Sequence, residues 1–252
     1  MSNNDASGIY HRADVYEAFY RGRGKDYEGE STTVIKAIRE RNDGASSLLD
    51  IACGTGSHLR YFAEEFDCTG LDISEEMLDL ARKNVPSVPV QLGDMRRFKL
   101  GRSFDAITCM FSSISYLDSA EDLGRALKCF TRHLNDGGVI VVEPWWFPEK
   151  FIPGYVSGDV VTVDRRTISR VSYSIRDLSC SVRNSMASSM EVHYIVADAN
   201  SGVQHFTDTH VMCLFARQEY ENAFAEAGCS VEYLESDQPT PGLFVGVKAG
   251  TR

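Results

Sequence analysis

The segment Leu49–Gly56 (LDIACGTG) joins an apolar run to a glycine-rich turn, and it decides the fold class of this sequence. An apolar run of this length is typical of a buried strand. Gly54 and Gly56 allow the backbone to approach a ligand closely, because no Cβ intervenes. Asp50 places a carboxylate at the strand end, four residues before the first glycine. We therefore expect a ligand to bind at this turn.

Outward from this turn, apolar runs alternate with amphipathic segments. The predicted strands are Ser47–Ala52, Cys68–Ile73, Val88–Leu92, Phe104–Phe111 and Gly137–Glu143. The predicted helices are Ser57–Phe66, Glu75–Asn84 with Ser74 as N-cap, and Asp118–Leu134. Such alternation predicts a Rossmann-like α/β domain with a mostly parallel sheet. A helix over Gln218–Ala227 and strands at Val231–Leu234 and Leu243–Val247 would bring the sheet to about seven strands.

The alternation is interrupted by a strand-rich stretch. Residues 149–216 contain four strand-like runs and a turn signal at Asp198–Gly202, which predicts an antiparallel insertion. We expect this region to bind the acceptor and to form dimer contacts. The core domain then consists of residues 10–148 and 217–252, and residues 1–9 are expected to be disordered.

Composition excludes several classes of protein. The 252 residues carry a formal net charge of −10, which argues against nucleic-acid binding. The seven cysteines form no CxxC pair, and the six histidines show no metal-ligand spacing, so we expect free thiols and no metal. The N-terminus lacks a signal peptide, and no apolar run is long enough to cross a membrane. These features predict a cytoplasmic protein.

Two further carboxylates follow the next two predicted strands. Asp72, in the LDIS segment, is suited to the two ribose hydroxyls of a nucleoside, with Ile73 beside it. Asp94 can accept from an adenine amino group, and Met95 can pack on the ring. Leu59 occupies the place of the third glycine of nicotinamide and flavin fingerprints. A strand-end carboxylate suits a cationic, phosphate-free cofactor such as S-adenosylmethionine (SAM).

The motifs DIACGTGSH, GLDIS and GDMR resemble those of class I SAM-dependent methyltransferases. More narrowly, the chain resembles the N,N-dimethyltransferases that act on dTDP-linked amino sugars of antibiotics, of the desosamine and mycaminose type. The narrower resemblance rests on YEAFYRGRGKDY (16–27), the run from Gly93 to Leu117, VVEPWWFPEKF (141–151) and GLFVGV (242–247). It spans nearly the whole chain.

The resemblance implies roles for particular residues. SAM, which becomes S-adenosylhomocysteine, would contact residues at the strand ends: Asp50, Ala52, Gly54, Gly56, Asp72, Ile73, Asp94, Met95 and Met110. Tyr20 would position the reacting groups, and Tyr116 would orient the sugar amine, because a phenol is a poor base at neutral pH. Trp145, Trp146 and Arg170 would bind the nucleotide sugar, although we expect at least one of the two tryptophans to be core. A homodimer is also implied.

One departure from the relatives concerns the segment before Gly242. The relatives carry an Arg-Gly pair there, whereas this chain has Asp237-Gln238-Pro239-Thr240-Pro241. If that arginine binds the diphosphate in the relatives, this chain must bind its acceptor differently. Two alternatives stay open: O- or N-methylation of a different small molecule, and a SAM-binding module without turnover. Tyr20, Tyr116 and the EPWWFPE segment favour an enzyme, because a sensor needs no acceptor pocket.

Overall fold

The computed structural model describes residues 8–177, 186–236 and 241–250, and its largest element is a seven-stranded sheet. In chain order its strands are β1 (Ser47–Ile51), β2 (Asp67–Asp72), β3 (Val90–Leu92), β4 (Phe104–Cys109), β5 (Leu134–Val142), β10 (Cys229–Leu234) and β11 (Leu243–Lys248). The spatial order is β10-β11-β5-β4-β1-β2-β3. β1 to β5 are parallel, whereas β11 pairs antiparallel with both β5 and β10. The predicted sheet is confirmed.

Helices cover both faces of this sheet. They are α2 (Tyr27–Arg39), α3 (Leu59–Phe62), α4 (Glu75–Asn84), α5 (Ala120–Arg132) and α6 (Arg217–Glu226). The first helix, α1 (Ala13–Gly22), packs on a second sheet instead. The Ser74 side chain accepts from the Met77 amide and begins α4, as predicted. One buried cluster includes Leu49 and Phe130, and a second includes Val34 and Leu48, so alternate side chains of β1 enter opposite layers.

A second sheet of four antiparallel strands accounts for the strand-rich stretch. It contains β6 (Tyr155–Val163), β7 (Arg166–Asp177), β8 (Ala187–Asp198) and β9 (Gly202–Cys213), in that spatial order. The hairpin between β8 and β9 turns at the predicted Asp198–Gly202. One face of the sheet packs on α1, and the other is open to solvent.

The N-terminal segment joins the two sheets. The Ile9 amide donates to the Asp208 carboxylate on β9 at 2.8 Å, and Gly22 approaches the Val161 side chain of β6 closely. On the other side, the Ser74 hydroxyl donates to the Tyr10 carbonyl at 3.3 Å. This segment therefore lies over the carboxyl ends of the parallel strands, where ligands bind in such folds.

Several element bounds differ from the sequence prediction. The helix predicted over Ser57–Phe66 is only one turn, Leu59–Phe62, because the glycine turn continues to His58. The strand predicted at residues 211–215 begins nine residues earlier, at Gly202, where polar side chains face solvent. No helix among the described residues is long and apolar enough to cross a membrane. The expected disorder of residues 1–9 falls largely on residues 1–7, outside the described part of the chain.

Candidate active site

The glycine turn after β1 has the backbone that a close ligand contact requires. Ala52, Gly54 and Gly56 all have positive φ, at 57°, 55° and 83°. A Cβ at Gly54 would meet open space, whereas one at Gly56 would touch Val85 at 3.0 Å. Positive φ at an alanine costs free energy, and such strain concentrates at functional sites. The turn is therefore a cradle with free space beside Gly54.

Two carboxylates lie under this cradle. Asp50 is buried and accepts from the Thr108 hydroxyl at 2.8 Å, and burial raises its pKa to about 7. Asp72, the last residue of β2, accepts from the Gly54 amide at 2.8 Å and the Ser74 amide at 2.9 Å. Burial raises the pKa of Asp72, although these amides oppose the shift. Two buried carboxylates at neighbouring strand ends favour a cationic ligand, since a cation offsets the cost of their ionisation.

The ends of β2 and β3 line a groove of about 460 Å³. Ile73, Leu92 and Asp94 contribute to its walls, and the Ile73 side chain is exposed. Arg96 binds both oxygens of Asp94, at 2.9 and 2.7 Å, and holds the pKa of Asp94 below its usual range. A ligand amino group would thus compete with Arg96 for Asp94. Met95 is half-buried and packs against the core below the groove.

A second strained turn follows β4 and was not predicted from the sequence. Phe111 and Ser112 have φ of 54° and 57°, and the Phe111 amide donates to Glu143 at 2.7 Å. Burial raises the pKa of Glu143, which follows β5, to about 7. An acid closing the apolar run VIVVE was the available signal. Met110, before this turn, is buried in the core.

Tyrosines of the N-terminal segment lie beside the turn that follows β4. The Tyr20 ring packs edge-on against Phe111 at 5.0 Å and lies 4.8 Å from the Tyr16 ring, centroid to centroid. Burial raises the pKa of both phenols, so both are neutral at physiological pH. The structure thus places Tyr20 beside the turn that follows β4, within reach of the strand ends.

Tyr116 is held by residues from two distant parts of the chain. It lies in a 3-10 turn, Ser113–Tyr116, and its hydroxyl is 2.7 Å from the Tyr10 hydroxyl. The same hydroxyl is 2.9 Å from Nδ1 of His210, on the inner face of β9. The Tyr116 side chain is 38% exposed, so its ring still borders open space. Sequence reasoning missed Tyr10 and His210, because nothing local connects them to Tyr116.

The predicted acceptor-binding residues lie in two places, one on β7 and the other directly after β5. Arg170 is buried on the inner face of β7, where it donates to Tyr194 and Ser172 at 3.3 and 3.1 Å. Among the described residues no carboxylate forms an ion pair with Arg170. A buried, unpaired guanidinium is costly and favours an anionic ligand.

Trp145 and Trp146 lie side by side after β5, with ring centroids 6.2 Å apart. Neither is fully buried, so the prediction that one of them is core is wrong. The prolines at positions 144 and 148 keep this segment out of a strand, where one side chain would have faced the core. Nε1 of Trp145 is buried, and no group in the described ranges accepts its hydrogen.

Comparison with known proteins decides the family. A methyltransferase domain family matches residues 48–138. The chain is 53% identical to a dTDP-3-amino-3,4,6-trideoxy-alpha-D-glucopyranose N,N-dimethyltransferase of Streptomyces venezuelae, covering 94% of this chain and 98% of the relative. It is 41% identical to a dTDP-4-amino-2,3,4,6-tetradeoxy-D-glucose N,N-dimethyltransferase of Saccharopolyspora spinosa, covering 97% and 96%.

This chain belongs to the amino-sugar N,N-dimethyltransferases. It is a SAM-dependent methyltransferase. The chain is also similar to CalS10 of Micromonospora echinaspora, an amino pentose methyltransferase involved in calicheamicin biosynthesis, whose SAM-bound structure superimposes with a TM-score of 0.83. That match has 43% identity and covers 93% of this chain and 97% of CalS10.

The site fits the cofactor of these N,N-dimethyltransferases. SAM carries a cationic amino group and a sulfonium but no phosphate. The open cradle at Gly54 and the buried acids Asp50 and Asp72 offer space and negative charge, and no basic side chain bonds either acid in the described part of the chain. The segment of the missing arginine, residues 237–240, lies outside the described residues. Cys53, Cys68, Cys109, Cys129 and Cys229 are buried free thiols, and Cys213 is buried as well.

Proposed function

We propose that this enzyme transfers two methyl groups from SAM to the amine of a dTDP-linked deoxyamino sugar, in the synthesis of an antibiotic sugar. The observation that carries the proposal is the 53% identity across 94% of the chain to an enzyme named for that reaction. The relatives differ in whether the amine is at position 3 or 4 of the sugar. The higher identity favours an amine at position 3.

On the cofactor side, we assign the predicted contacts to parts of SAM. Asp50 and the backbone of Ala52, Gly54 and Gly56 would face its methionine part, and Met110 supports this floor from the core. Asp72 has a carboxylate at the strand end that suits the ribose hydroxyls. The adenine would occupy the groove beside Ile73, with Asp94 in its wall, and Met95 would support it from the core. SAM supplies an electrophilic methyl group on a sulfonium.

On the acceptor side, the protein holds and orients the sugar. The unpaired Arg170 is suited to the diphosphate, because its planar fork binds oxygens in pairs. Trp145 and Trp146 would form the wall beside the sugar. Tyr20 would position the reacting groups, and Tyr116 would orient the amine. Displacement at a methyl carbon needs the nitrogen, carbon and sulfur in line, so orientation supplies much of the acceleration.

The outer face of the four-stranded sheet supports a homodimer. This face exposes an unusual number of large apolar side chains for a surface: Val156, Val160, Val171, Tyr173, Ile175, Ile195 and Val203. Contiguous exposed apolar area marks interaction sites. We propose that two copies pair through it, with the inner face serving the acceptor site. Residues 149–216 would then have both roles, and the enzyme would act in the cytoplasm.

A scattering mass tests the pairing. The wild type should have twice the 28.0 kDa of one chain at micromolar concentration. Val171→Glu, at the centre of the face, should give the monomer mass, whereas Thr32→Glu on the exposed side of α2 should not. A monomeric wild type would refute the dimer.

Product analysis tests the reaction itself. The purified enzyme is incubated with SAM and a panel of dTDP-linked sugars that carry an amine at position 3, an amine at position 4, or hydroxyls only. Mass spectrometry should show gain of two methyl groups on the amino sugars and none on the hydroxyl sugars. Methylation of a hydroxyl acceptor alone would establish the alternative, an O-methyltransferase, and no product with any acceptor would favour a SAM-binding module.

A further inference from the structure

A chain of polar groups crosses from the N-terminal segment to the four-stranded sheet. The Tyr10 hydroxyl, the Tyr116 hydroxyl and Nδ1 of His210 follow one another at 2.7 and 2.9 Å. Beyond them, Nε2 of His210 lies 3.7 Å from the Asp208 carboxylate, which also accepts from the Ile9 amide at 2.8 Å. The contacts join residues up to 199 positions apart in sequence.

The surroundings of His210 select its protonation state. Four groups face it: Tyr116, the Tyr10 ring at 5.7 Å, Asp208 on its own strand, and Arg170 on β7. Burial is the main cause that lowers the pKa of His210; Arg170 acts in the same direction and Asp208 against it. The ring is therefore neutral at pH 7. Its single hydrogen belongs on Nε2, because the negative charge lies on that side, and Nδ1 is then an acceptor.

When His210 is neutral, the Tyr116 hydroxyl can form its hydrogen bonds in only one arrangement. A phenol has one hydrogen and two acceptor positions. Its hydrogen goes to Nδ1 of His210, so Tyr10 must donate to Tyr116. One acceptor position on Tyr116 then remains, on a ring that borders open space.

We propose that His210 is a positioning residue that fixes the direction of this hydrogen-bond chain, so that Tyr116 presents only an acceptor to the sugar amine. The inference rests on the proposed function, which places the amine beside Tyr116. An N–H of the amine donates to Tyr116, and the nitrogen lone pair is left free to attack the methyl carbon. The bond from that carbon to sulfur breaks as S-adenosylhomocysteine leaves, and the resulting ammonium releases its proton to solvent. If Tyr116 donated instead, it would bind that lone pair and oppose the attack.

The direction of these hydrogen bonds also explains why methylation stops after the second transfer. A primary amine and its monomethyl product both keep an N–H for Tyr116. The neutral dimethyl product has none, so it loses this contact after the second transfer. Protonation of His210 would reverse the chain, because Nδ1 would then donate to Tyr116.

Two substitutions at His210 separate direction from packing. His210→Leu removes the acceptor and should lower kcat about tenfold to a hundredfold, the usual effect of losing orientation. His210→Asn places an amide oxygen near the Nδ1 position and should keep kcat within about threefold, because a hydrogen bond is retained. The KM for SAM should not change in either variant. His133→Leu and His133→Asn are the matched controls, because His133 is also buried but lies just before β5 begins, at the edge of the sheet opposite the carboxyl ends.

The pH profile is the second readout. In the wild type, log kcat should fall with decreasing pH by about one per unit as the bound amine is protonated, and more steeply once His210 is protonated as well. His210→Asn cannot titrate, so its profile should keep the single slope. Thermal unfolding of each variant shows whether it is folded.

The outcomes are distinct. Equal losses in His210→Leu and His210→Asn would overturn the inference, because packing alone would explain them, and so would wild-type activity in His210→Leu. If His210→Leu does not fold, the profiles decide: superimposable acid limbs for the wild type and His210→Asn contradict the inference. A wild type that methylates no amino sugar refutes the proposed function instead.

Discussion

The groups that face the cofactor lie at the ends of strands of the seven-stranded sheet or in the turns that directly follow them, whereas the groups on the acceptor side come from positions scattered along the chain. Asp50, Gly54 and Asp72 lie within 23 consecutive residues. Tyr116 meets Tyr10 and His210 across sequence separations of 106 and 94. The residues of the cofactor site are therefore close together in sequence. Those of the acceptor site come together only when the two sheets pack against each other.

The largest effect is expected at Gly54, where local backbone alone makes the cofactor site. Gly54→Ala adds a Cβ to the open cradle and should weaken SAM binding about a hundredfold, or roughly 2.7 kcal/mol. Gly101→Ala is the control, because Gly101 also has positive φ and open space around it. The unfolding temperature should fall by a similar amount in both variants. Titration calorimetry measures the affinity, and equal affinity in the two variants would contradict a ligand at Gly54.

Asp72→Ala should weaken SAM binding by about 1–3 kcal/mol, from the loss of a carboxylate paired with two hydroxyls. Asp67, at the other end of β2, provides the control Asp67→Ala. Titration calorimetry with SAM should show weaker binding for Asp72→Ala but not for Asp67→Ala. Unchanged affinity in Asp72→Ala would remove this residue from the site.

The acceptor half is tested by Tyr20→Phe. Removing the hydroxyl should lower kcat about twentyfold, because only positioning is lost. SAM affinity should stay the same, since the cradle is intact. Tyr61→Phe, on α3, controls for loss of a phenol hydroxyl elsewhere. A fall in rate beyond about 10⁴-fold would instead indicate direct proton transfer by Tyr20.

The smallest effect concerns the pH dependence of cofactor binding. The pKa of Asp50 is about 7 in the free protein, and a cation favours the ionised carboxylate. SAM affinity should therefore rise as pH rises through 7, by about tenfold between pH 6 and pH 8. Binding near pH 7 should release a proton, which calorimetry in buffers of different ionisation enthalpy detects.

Substitution identifies the titrating group. Asp50→Asn should abolish the pH dependence, and Glu143→Gln should retain it, although the pKa of Glu143 is also about 7. The opposite result would transfer the role to Glu143.

The difference between the cofactor site and the acceptor site explains which features could be predicted from the sequence. The parallel strands, the acids at their ends and the β8–β9 hairpin follow from apolar periodicity and turn residues, which are local signals. The one-turn length of α3 depends on how far the glycine turn extends. His210 is one polar residue in a strand of alternating faces, and only the packing of β9 on the 3-10 turn brings it to Tyr116. The Arg96–Asp94 pair was likewise invisible, because an arginine two residues from an aspartate is common in loops.

The central claim is that the acceptor atom is the nitrogen of a dTDP-linked amino sugar. The most direct measurement uses SAM labelled with ¹³C in its methyl group, the wild-type enzyme and the 3-amino sugar, followed by NMR of the isolated product. We predict that two labelled methyl groups are bonded to one nitrogen, with a single labelled methyl in the intermediate. Labelled methyl groups on a sugar oxygen, with the amine unchanged, would contradict the account.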